Sequence, residues 1–465
     1  MLKGKIKIIP FLLSMLTIFL CCQNKVDFFQ VSLPPTNLQV TPLSPFHVSI
    51  SWERRGIFSQ KYILERRKSG ENWVSLGLID SSNHYFIDTA LNPGTEYAYR
   101  LGVLSDKGGC RYSEEVAVTT QENFLPEPEI QFFNPFSVQE GVTLFSIEDP
   151  DNILSFSALV AVDFNGRYIW MIGGEKFLVI SDFEIMKNGH VLAMVGSGVE
   201  EITIEGERLW RYDKHLFHHD IDEAPWGTII GVIGYREMGP EGIPFSADAI
   251  IEYDYEKKVE TGIWPLKQII PVEEFCSLCI NAPDYFFGKD WTHTNAVVLG
   301  DDFEHVYLSV RNLDRIYRVS LKTGIVEWIL GRGGDMGEGM FSHQHDPQIT
   351  CENGEERILL FDNGLHRKEG KEYSRVVEIG IDSDLRKARK LWEYRENPDF
   401  YSAVGGGVQR LDNGNILITD SVNGRIVEVT SKKEVVWELD LPPPFAIFKS
   451  MRVSEWFLDS NPLRK

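Results

Sequence analysis

The sequence has few basic residues and few helix-like stretches, and both shortages exclude classes of protein. Lysine and arginine number 47 against 68 aspartates and glutamates, giving a formal net charge of −21. No basic run is present, and phosphate binding needs a basic face, so we expect no nucleic-acid partner. Short apolar runs separated by Asn-Gly and Asp-Asn-Gly turns are frequent, which predicts an all-β fold. The 465 residues suggest about two to four domains.

Hydrophobic runs long enough to cross a membrane are also missing. The apolar run from Ile8 to Leu20 follows three lysines and is shorter than a span of about 20 residues. Cysteines follow it directly, so residues 1–22 resemble a bacterial lipoprotein signal with Cys21 or Cys22 lipidated. The alternative is an uncleaved N-terminal anchor. Either way we expect an exported protein, periplasmic or on the outer membrane or cell surface, held to the membrane by its N-terminus.

Cysteine is scarce as well, with six in the chain and four beyond the signal. Cys276-Ser-Leu-Cys279 is a single CxxC motif without a second pair, so no zinc or other metal is expected. A thioredoxin-like role would need a βαβ unit, which the sequence does not contain. In an oxidising compartment the motif predicts a disulfide between Cys276 and Cys279. We expect Cys110 and Cys351 to be free, buried thiols.

Residues 31–121 contain about seven short strands with alternating apolar residues. Trp52 ends the second strand, and the segment Leu91-Asn92-Pro93-Gly94-Thr95-Glu96-Tyr97 leads into a later one. This part resembles a fibronectin type III domain, which implies a β-sandwich with Trp52 in the core and Tyr97 as the tyrosine corner. We assign it no chemistry. Residues 122–149, rich in proline and glutamate, are predicted to be a linker.

From about residue 150 to 465 one unit recurs: a turn, an apolar strand, a second strand and a third strand that ends on tryptophan. Repeats of roughly 40–50 residues with about four strands predict a β-propeller. Six tryptophans predict six blades and are expected to pack between them. We expect strands near 155–170 and 445–458 to close the ring. The six are Trp170, Trp210, Trp264, Trp328, Trp392 and Trp437.

The loop that leads into each innermost blade strand opens on the central channel, and the repeat places histidine there in three consecutive blades. These are His218-His219, His293 and His345. One alternative is that they cap strands, and another is that they bind zinc or copper. Arg311, across the same blade from His293, argues against a cation because a guanidinium offers its donors to an oxyanion. The set favours a site for a tetrahedral anion such as a sulfuryl or phosphoryl group.

Several motifs occur in a distinctive order and make the resemblance more specific. They are Asp290-Trp291-Thr292-His293-Thr294-Asn295, Ser309-Val310-Arg311-Asn312-Leu313-Asp314, Thr323-Gly324-Ile325-Val326-Glu327-Trp328, Gln344-His345-Asp346 and Phe361-Asp362-Asn363-Gly364. The chain resembles the bacterial arylsulfate sulfotransferases, which are periplasmic six-bladed propellers. The resemblance implies transfer of a sulfuryl group from an aryl sulfate to a phenol through a sulfohistidine. It implies neither phosphoadenosine phosphosulfate nor any other cofactor.

The resemblance also implies roles for individual residues. His345 matches the nucleophile, and His293, Thr294, Asn295 and Arg311 match the sulfuryl-binding set. The pair His218 and His219 matches a further active-site histidine, with His219 preferred because Asp220 follows it as Asp346 follows His345. For Asp346 two roles stay open: it holds a histidine tautomer, or it caps the start of a strand.

Two other functions compete with the transferase hypothesis. One is a non-catalytic surface lipoprotein whose propeller and fibronectin-type domain bind carbohydrate or protein. The other is a metal-dependent hydrolase or lyase on the same scaffold. Under the transferase hypothesis the partners are a small aryl sulfate and a phenol. A homodimer is compatible with the sequence.

Overall fold

The protein is built from β-strands. The computed structural model describes residues 33–54, 61–104, 109–149, 156–176, 179–239, 242–271, 274–281, 287–352, 354–367 and 370–454. The predicted signal, with Cys21 and Cys22, lies outside these residues. No helix in the described ranges is long and apolar enough to cross a membrane.

An N-terminal sandwich of two antiparallel sheets comes first. One sheet has the order β1-β2-β5, and the other has the order β4-β3-β6-β7 with β8 paired to β6. The strands are β1 (Thr36–Pro42), β2 (Val48–Glu53), β3 (Lys61–Lys68), β4 (Val74–Asp80), β5 (Tyr85–Asp88), β6 (Glu96–Leu104), β7 (Cys110–Tyr112) and β8 (Val116–Thr119).

The sandwich core follows from the alternation of side chains along its strands. Val48, Ile50 and Trp52 share one face of β2 and are buried between the sheets. Tyr97 is buried beside them, and its hydroxyl accepts a hydrogen bond from the Asn92 backbone N–H at 3.0 Å. This is the arrangement of a tyrosine corner, which ties the chain before β6 to the core.

Six further antiparallel sheets follow within the described residues. The first has the order β12-β11-β10-β34, and the next five contain successive strands, with β21 parallel to β19 and β9 added to β33. The first two sheets contain β10 (Val142–Glu148), β11 (Phe156–Val162), β12 (Tyr168–Lys176) and β34 (Ala446–Val453), and then β13 (Ile180–Ile185), β14 (Val191–Val195), β15 (Gly198–Ile202) and β16 (Arg208–Tyr212). The third and fourth contain β17 (Phe217–Glu223), β18 (Ile229–Met238), β19 (Pro244–Asp254), β20 (Val259–Pro265) and β21 (Lys289–Asp290), and then β22 (Thr294–Leu299), β23 (His305–Val310), β24 (Arg315–Ser320) and β25 (Val326–Gly331). The fifth and sixth contain β26 (His345–Glu352), β27 (Glu355–Asp362), β28 (Arg375–Asp382) and β29 (Lys387–Tyr394), and then β30 (Gly407–Arg410), β31 (Ile416–Asp420), β32 (Arg425–Val429), β33 (Val435–Asp440) and β9 (Glu129–Phe133). Short 3₁₀ helices are formed by Leu266–Gln268, Cys279–Asn281 and Arg311–Leu313.

Two of these strands, β9 and β10, lie in the predicted linker over 122–149, so this segment belongs to the large domain. Pro126 and Pro128 precede β9 and Pro135 follows it, at positions that donate no ladder hydrogen bond. The C-terminal β34 pairs with β10, in the sheet that also contains β11 and β12.

The six repeat tryptophans each lie in the outermost repeat strand of a different sheet, but they are not equally buried. Trp170, Trp328 and Trp437 are buried, whereas Trp264 is 49% exposed, so the expectation that all six pack between blades is wrong. The Trp264 ring lies over Gly262 on the outer strand β20. An edge strand has fewer neighbours than an inner strand. A tryptophan on it is therefore buried only where the neighbouring sheet packs against its ring.

The hydrophobic core is divided into clusters that lie between consecutive sheets. Separate clusters join the second sheet to the third, the third to the fourth, the fourth to the fifth and the fifth to the sixth. A further cluster contains residues of the sixth and first sheets, including Trp437 and Val160. Trp437 also donates its indole N–H to the Phe164 carbonyl of the first sheet at 2.9 Å.

The sandwich packs directly on the first of these sheets. Phe46 contacts Tyr168 with ring centroids 5.3 Å apart, and His47 stacks on Trp170 at 6.2 Å. The Ala90 N–H donates to the Ile169 carbonyl at 3.2 Å. Because apolar rings and a backbone hydrogen bond both cross the boundary, this sandwich shares a core with the large domain.

We predict that His47 makes folding stability depend on pH. Burial lowers the pKa of His47 to about 3 from 6.5. Between these values the unfolded chain binds a proton that the folded chain does not. The free energy of unfolding therefore falls as the pH falls below 6.5, by up to about 1.4 kcal/mol per pH unit from this group.

The prediction is tested with His47→Gln. The variant is expected to lose less stability than the wild type between about pH 7 and pH 5, as measured by the change in Tm. The same substitution at exposed His84 controls for removal of an imidazole. An equal fall in Tm for His47→Gln and the wild type would contradict the prediction.

Candidate active site

The candidate histidines lie where the inner strands begin, and the backbone there is irregular. The pairing register shifts at this point in β17, β22 and β26. His219 (φ 67°), His293 (φ 48°) and Asp346 (φ 46°) have left-handed backbone conformations. A bulge re-aims the side chains of a strand, and left-handed conformations of non-glycine residues concentrate at functional sites. The repeated irregularity therefore turns these side chains toward one another.

Three imidazoles from three sheets meet at this place; His345 is buried, and His219 and His293 are partly buried. His219 Nε2 lies 3.1 Å from His293 Nε2, and the two ring centroids are 4.7 Å apart. The ring centroid of His345 lies 6.3 Å from that of His219. The structure thus brings together one histidine from each of the three predicted positions.

Asn363 fixes the tautomer of His345. The Asn363 amide nitrogen donates to the carbonyls of Ser402 and Gly405, both at 2.8 Å. Its Oδ1 must then be the acceptor that lies 2.7 Å from His345 Nδ1. His345 Nδ1 therefore carries the proton, and Nε2 carries a lone pair.

A second set of hydrogen bonds links three imidazoles between two carboxylates. Asp248 Oδ1 lies 3.1 Å from His218 Nε2, and His218 Nδ1 lies 2.8 Å from His219 Nδ1. Beyond the His219–His293 contact, His293 Nδ1 lies 2.7 Å from Asp290 Oδ2. Four such contacts need four protons, whereas three neutral imidazoles carry three. In its neutral form the chain of His218, His219 and His293 is therefore one proton short and can take up and pass on one proton.

Burial and positive charge keep the inner imidazoles neutral. Burial lowers the pKa of His345 to about 3, and the charge of Arg311 adds to the effect. Burial and the neighbouring His293 lower the pKa of His219 well below its usual value. The pKa of His293 is lowered by burial, although Asp290 opposes the shift. A neutral imidazole is the nucleophilic form.

Arg311 supplies a buried positive charge beside the histidines. It is 8% exposed, its Nη1 donates to Asn312 Oδ1 at 2.8 Å, and its backbone N–H donates to the His293 carbonyl. No carboxylate among the described residues forms an ion pair with it. Buried charges are ordinarily paired, so this guanidinium is suited to an anionic ligand.

Thr294 and Asn295 lie next to His293 at the start of β22 and are buried. Asn295 Nδ2 donates to the Gln344 carbonyl at 2.7 Å. Within the described residues, Thr294 Oγ1 and Asn295 Oδ1 are buried without a hydrogen-bond partner. Unsatisfied buried polar atoms are costly, which is consistent with a polar ligand at this place.

Asp346 joins neighbouring sheets and does not hold the His345 tautomer. Its Oδ2 accepts the Val408 N–H of the next sheet at 2.8 Å, while Asn363 occupies His345 Nδ1. Asp220 accepts the Val297 N–H in the same way at 2.6 Å. Of the two roles that the sequence left open, the geometry therefore favours the cap at the strand start.

A cavity of about 30 Å³ adjoins His219 and His345, and Lys449 lines it. Lys449 Nζ lies 2.8 Å from Asp182 Oδ1 and 2.9 Å from Glu184 Oε1. Burial lowers the pKa of Lys449, but these carboxylates outweigh burial and raise it. A larger cavity of about 620 Å³ is lined by residues such as Met186 and Leu411 and contains none of the candidate residues. The candidate residues His219, Asn295, His345 and Asp346 therefore line the small cavity and not the large one.

The cysteines differ from expectation. Cys276 and Cys279 are free thiols in the structure and not the predicted disulfide. Cys276 Sγ accepts the Cys279 N–H at 3.3 Å, and Cys279 Sγ lies 3.0 Å from His343 Nε2, so the sulfurs have other partners. Cys110 and Cys351 are also free, but Cys351 is exposed and Cys110 is only partly buried.

Sequence reasoning gave no role to several residues that organise the site. Asn363 and Asp290 both lie within the motifs that carried the resemblance, so those motifs could have indicated a role for each. Asp248 and Lys449 lie in β19 and β34 outside those motifs, and nothing in the sequence pattern marks them.

An all-β protein whose centre gathers neutral histidines and a buried arginine is suited to bind and react with a tetrahedral anion. The family model described as Arylsulfotransferase (ASST) matches residues 135–441, about two thirds of the chain. The chain belongs to this family, and membership suggests an aryl sulfotransferase. The Fibronectin type III domain model matches residues 33–119.

Solved structures give distant likenesses. A crystal structure of a protein of unknown function from Bacteroides caccae is 12% identical, covers 68% of this chain and 100% of its own, and has a TM-score of 0.41. The fn3 domain of human contactin 1 is 22% identical over 20% of this chain and 82% of its own, with a TM-score of 0.18. The FN5 domain of Drosophila Lar is 23% identical, covers 20% of this chain and 100% of its own, and has a TM-score of 0.17.

We predict that Asn363 determines which nitrogen of His345 is protonated. In ¹⁵N-histidine NMR spectra the His345 signals, assigned by their loss in His345→Asn, are expected to show a single Nδ1–H tautomer. Asn363→Leu removes the acceptor and is expected to give a mixture of tautomers, while Asn413→Leu, at an exposed turn, is the control. A Nε2–H tautomer in the wild type would contradict the assignment.

Proposed function

We propose that the protein is an exported aryl-sulfate sulfotransferase that works without phosphoadenosine phosphosulfate or another cofactor. It transfers a sulfuryl group from an aryl sulfate ester to a phenol through a sulfohistidine on His345. The observation that carries the proposal is the Nε2 lone pair of His345, fixed by Asn363, in the same buried site as Arg311 and the chain of histidines. A nucleophile, an anion-binding group and a proton source are thereby combined.

We propose further that the six sheets are the blades of a closed propeller. Contacts between sheets support this arrangement, because the clusters that join consecutive sheets include one between the sixth and the first. The pairing of β34 with β10 supplies the first sheet with its fourth strand from the C-terminus. Closure leaves the sheets without open inner edges and surrounds the histidines.

In the first half-reaction, His345 Nε2 attacks the sulfur of the aryl sulfate. The N–S bond forms, the S–O bond to the ring breaks, and the phenolate leaves with the electron pair of that bond. A proton that the His219–His293 chain has taken up before this step passes to the phenolate oxygen, and the chain becomes neutral. The products are a phenol and a sulfuryl group on His345.

In the second half-reaction, a phenol oxygen attacks the same sulfur and gives its proton back to the histidine chain. The N–S bond breaks, and its electron pair returns to Nε2 as a lone pair. The enzyme regains its starting proton count, so no net proton is consumed. The histidine chain thus acts as the general acid in the first half-reaction and as the general base in the second.

Arg311, Thr294 and Asn295 are proposed to hold the sulfuryl oxygens. Charge on a transferred group of this kind is spread over its oxygens, so catalysis depends on positioning and on fixed donors, by analogy with phosphoryl transfer. The Arg311 guanidinium offers a planar pair of donors. The Thr294 hydroxyl has no other partner among the described residues and is free to donate.

For location we propose that the N-terminal signal directs export. A lipid on Cys21 or Cys22 then holds the protein to a membrane, either facing the periplasm or at the cell surface. The small substrates reach the site from the same compartment. The composition of residues 1–22 supports this proposal.

The transferase proposal predicts that His345→Asn abolishes turnover. A chromogenic aryl sulfate with added phenol is expected to react with the wild-type protein only when the acceptor is present. The variant is expected to lose roughly 10³-fold or more in rate because the nucleophile is absent. Exposed His84→Asn is the matched control and is expected to keep the wild-type rate.

Two further readouts make this assay decisive. Circular dichroism and Tm confirm that His345→Asn is folded, and mass spectrometry of peptides from wild type treated with donor alone is expected to find the sulfuryl group on His345. Unchanged release in the variant would overturn the assignment of the nucleophile. Absence of release by the wild type with every phenol tested would favour a binding role.

Arg311→Lys is predicted to lower kcat/KM by about 10²-fold, because a lysine cannot present two fixed donors to the sulfuryl oxygens. Arg332→Lys, at a half-exposed arginine directly after β25, is the matched control. Steady-state kinetics with one aryl sulfate measure both. A change in Arg311→Lys no larger than that in the control would show that the guanidinium does not contact the transferred group.

A further inference from the structure

A second cluster of reactive side chains lies near the site and takes no part in the proposed reaction. Cys276, Cys279, His343 and His366 each direct one sulfur or ring nitrogen inward, and these four atoms all lie within 4.8 Å of one another. The first three residues are buried and His366 is partly buried. Two thiols and two imidazoles gathered at this distance are a typical set of metal ligands.

The CxxC segment has the local geometry of a metal-binding turn. The Cys279 N–H donates to Cys276 Sγ at 3.3 Å, at the start of the short helix Cys279–Asn281. Cys279 Sγ lies 3.0 Å from His343 Nε2. A backbone N–H aimed at a sulfur stabilises the thiolate form, which is the form that binds metal.

His343 is held in the orientation that a metal ligand needs. Its Nδ1 lies 3.0 Å from Asp314 Oδ1, and the same carboxylate oxygen accepts the His343 backbone N–H at 2.8 Å. This carboxylate faces Nδ1, and the opposite ring nitrogen, Nε2, is the one that lies against the sulfur of Cys279. Histidine ligands commonly give their second nitrogen to a carboxylate in this way.

His366 completes the set with an unsatisfied nitrogen. Its Nδ1 is buried and has no hydrogen-bond partner among the described residues. Its ring is perpendicular to that of His343, with centroids 4.8 Å apart, and its backbone has φ 60°. A buried nitrogen without a donor is costly, and a metal ion satisfies it.

We propose that Cys276, Cys279, His343 and His366 bind one zinc ion in a tetrahedral site. Two sulfurs and two nitrogens are a set that Zn²⁺ prefers. At bond lengths of about 2.3 Å to sulfur and 2.0–2.1 Å to nitrogen, ligand atoms in a tetrahedron lie about 3.3–3.8 Å apart, so modest movement brings the four into place. Two thiolates neutralise the ion, which suits a buried position.

The site is structural. Four protein ligands leave no open position for a substrate or water, in contrast to catalytic zinc sites. The ion joins the segment between β20 and β21 to the chain just before β26 and to the loop after β27. His343 is two residues before His345, so the zinc site anchors the start of the strand that positions the proposed nucleophile.

The proposal departs from the expectation from the sequence that one CxxC motif without a second pair binds no zinc. The second pair consists of two histidines, His343 and His366, that lie in separate loops and share no local motif. Only the packing of the fourth and fifth sheets against the segment before β21 brings them to the cysteines.

Metal analysis of the purified full chain tests the proposal. After purification under reducing conditions with Zn²⁺ and removal of loose metal, we expect about one zinc per chain. Cys276→Ser and His366→Ala are expected to lose it, whereas His366→Cys, which supplies another ligand, is expected to retain it. Cys110→Ser and Cys351→Ser alter the cysteines outside the cluster and are expected to bind as the wild type does.

A measurement on the wild type covers the case in which ligand variants fail to fold. Replacement of zinc by Co²⁺ is expected to give the visible d–d absorption and the sulfur-to-cobalt charge transfer of a tetrahedral S₂N₂ site. A chain that takes up neither metal, a Cys276→Ser variant that keeps its zinc, or a Cys276–Cys279 disulfide found by mass spectrometry in the exported protein would overturn the proposal. None of these results depends on sulfuryl transfer, so the two proposals fail separately.

Discussion

The centre of the large domain depends on hydrogen bonds that pass from the inner strand of one sheet to the backbone of the next. Asp182 of the second sheet accepts the Ile221 N–H of the third at 2.8 Å. In the same way Asp220 accepts an N–H of the fourth sheet and Asp346 accepts one of the sixth. A buried backbone N–H must be paired, and β17, β22 and β30 each stand at the end of their sheet with one edge unpaired in the ladder. The carboxylates satisfy these groups, while register shifts in β17, β22 and β26 accompany the turn of the histidines toward one another.

Burying so many charges in one place requires compensation. Lys449 contacts Asp182 and Glu184, and its charge acts on Asp220 and Asp346. Even so, burial raises the pKa of Asp220 and Asp346. On the histidine side Arg311 lowers the pKa of His345. This charge favours a neutral nucleophile beside an anion-binding group.

Much of the fold could be predicted because its signals are local. Turn residues and alternating apolar residues give the strands, and the six tryptophans give the number of repeats, since each falls in the outermost repeat strand of a different sheet. The exposure of Trp264 and the membership of β9 and β10 in the large domain could not be predicted in this way. Both features depend on which strands lie side by side in space. A short, proline-flanked segment has the same sequence pattern whether it forms a linker or an added strand.

The sequence by itself determined the all-β class, the repeat, and the positions of His219, His293, His345 and Arg311, because each of these is written in a local pattern or motif. Tertiary structure decided how those side chains act on one another. Asn363 sets the His345 tautomer, Asp248 and Asp290 bound the histidine chain, and two separated histidines meet one CxxC segment. Hydrogen bonding and metal ligation act over a few ångströms in space, and residues many positions apart in the chain come within that range only when the sheets have packed.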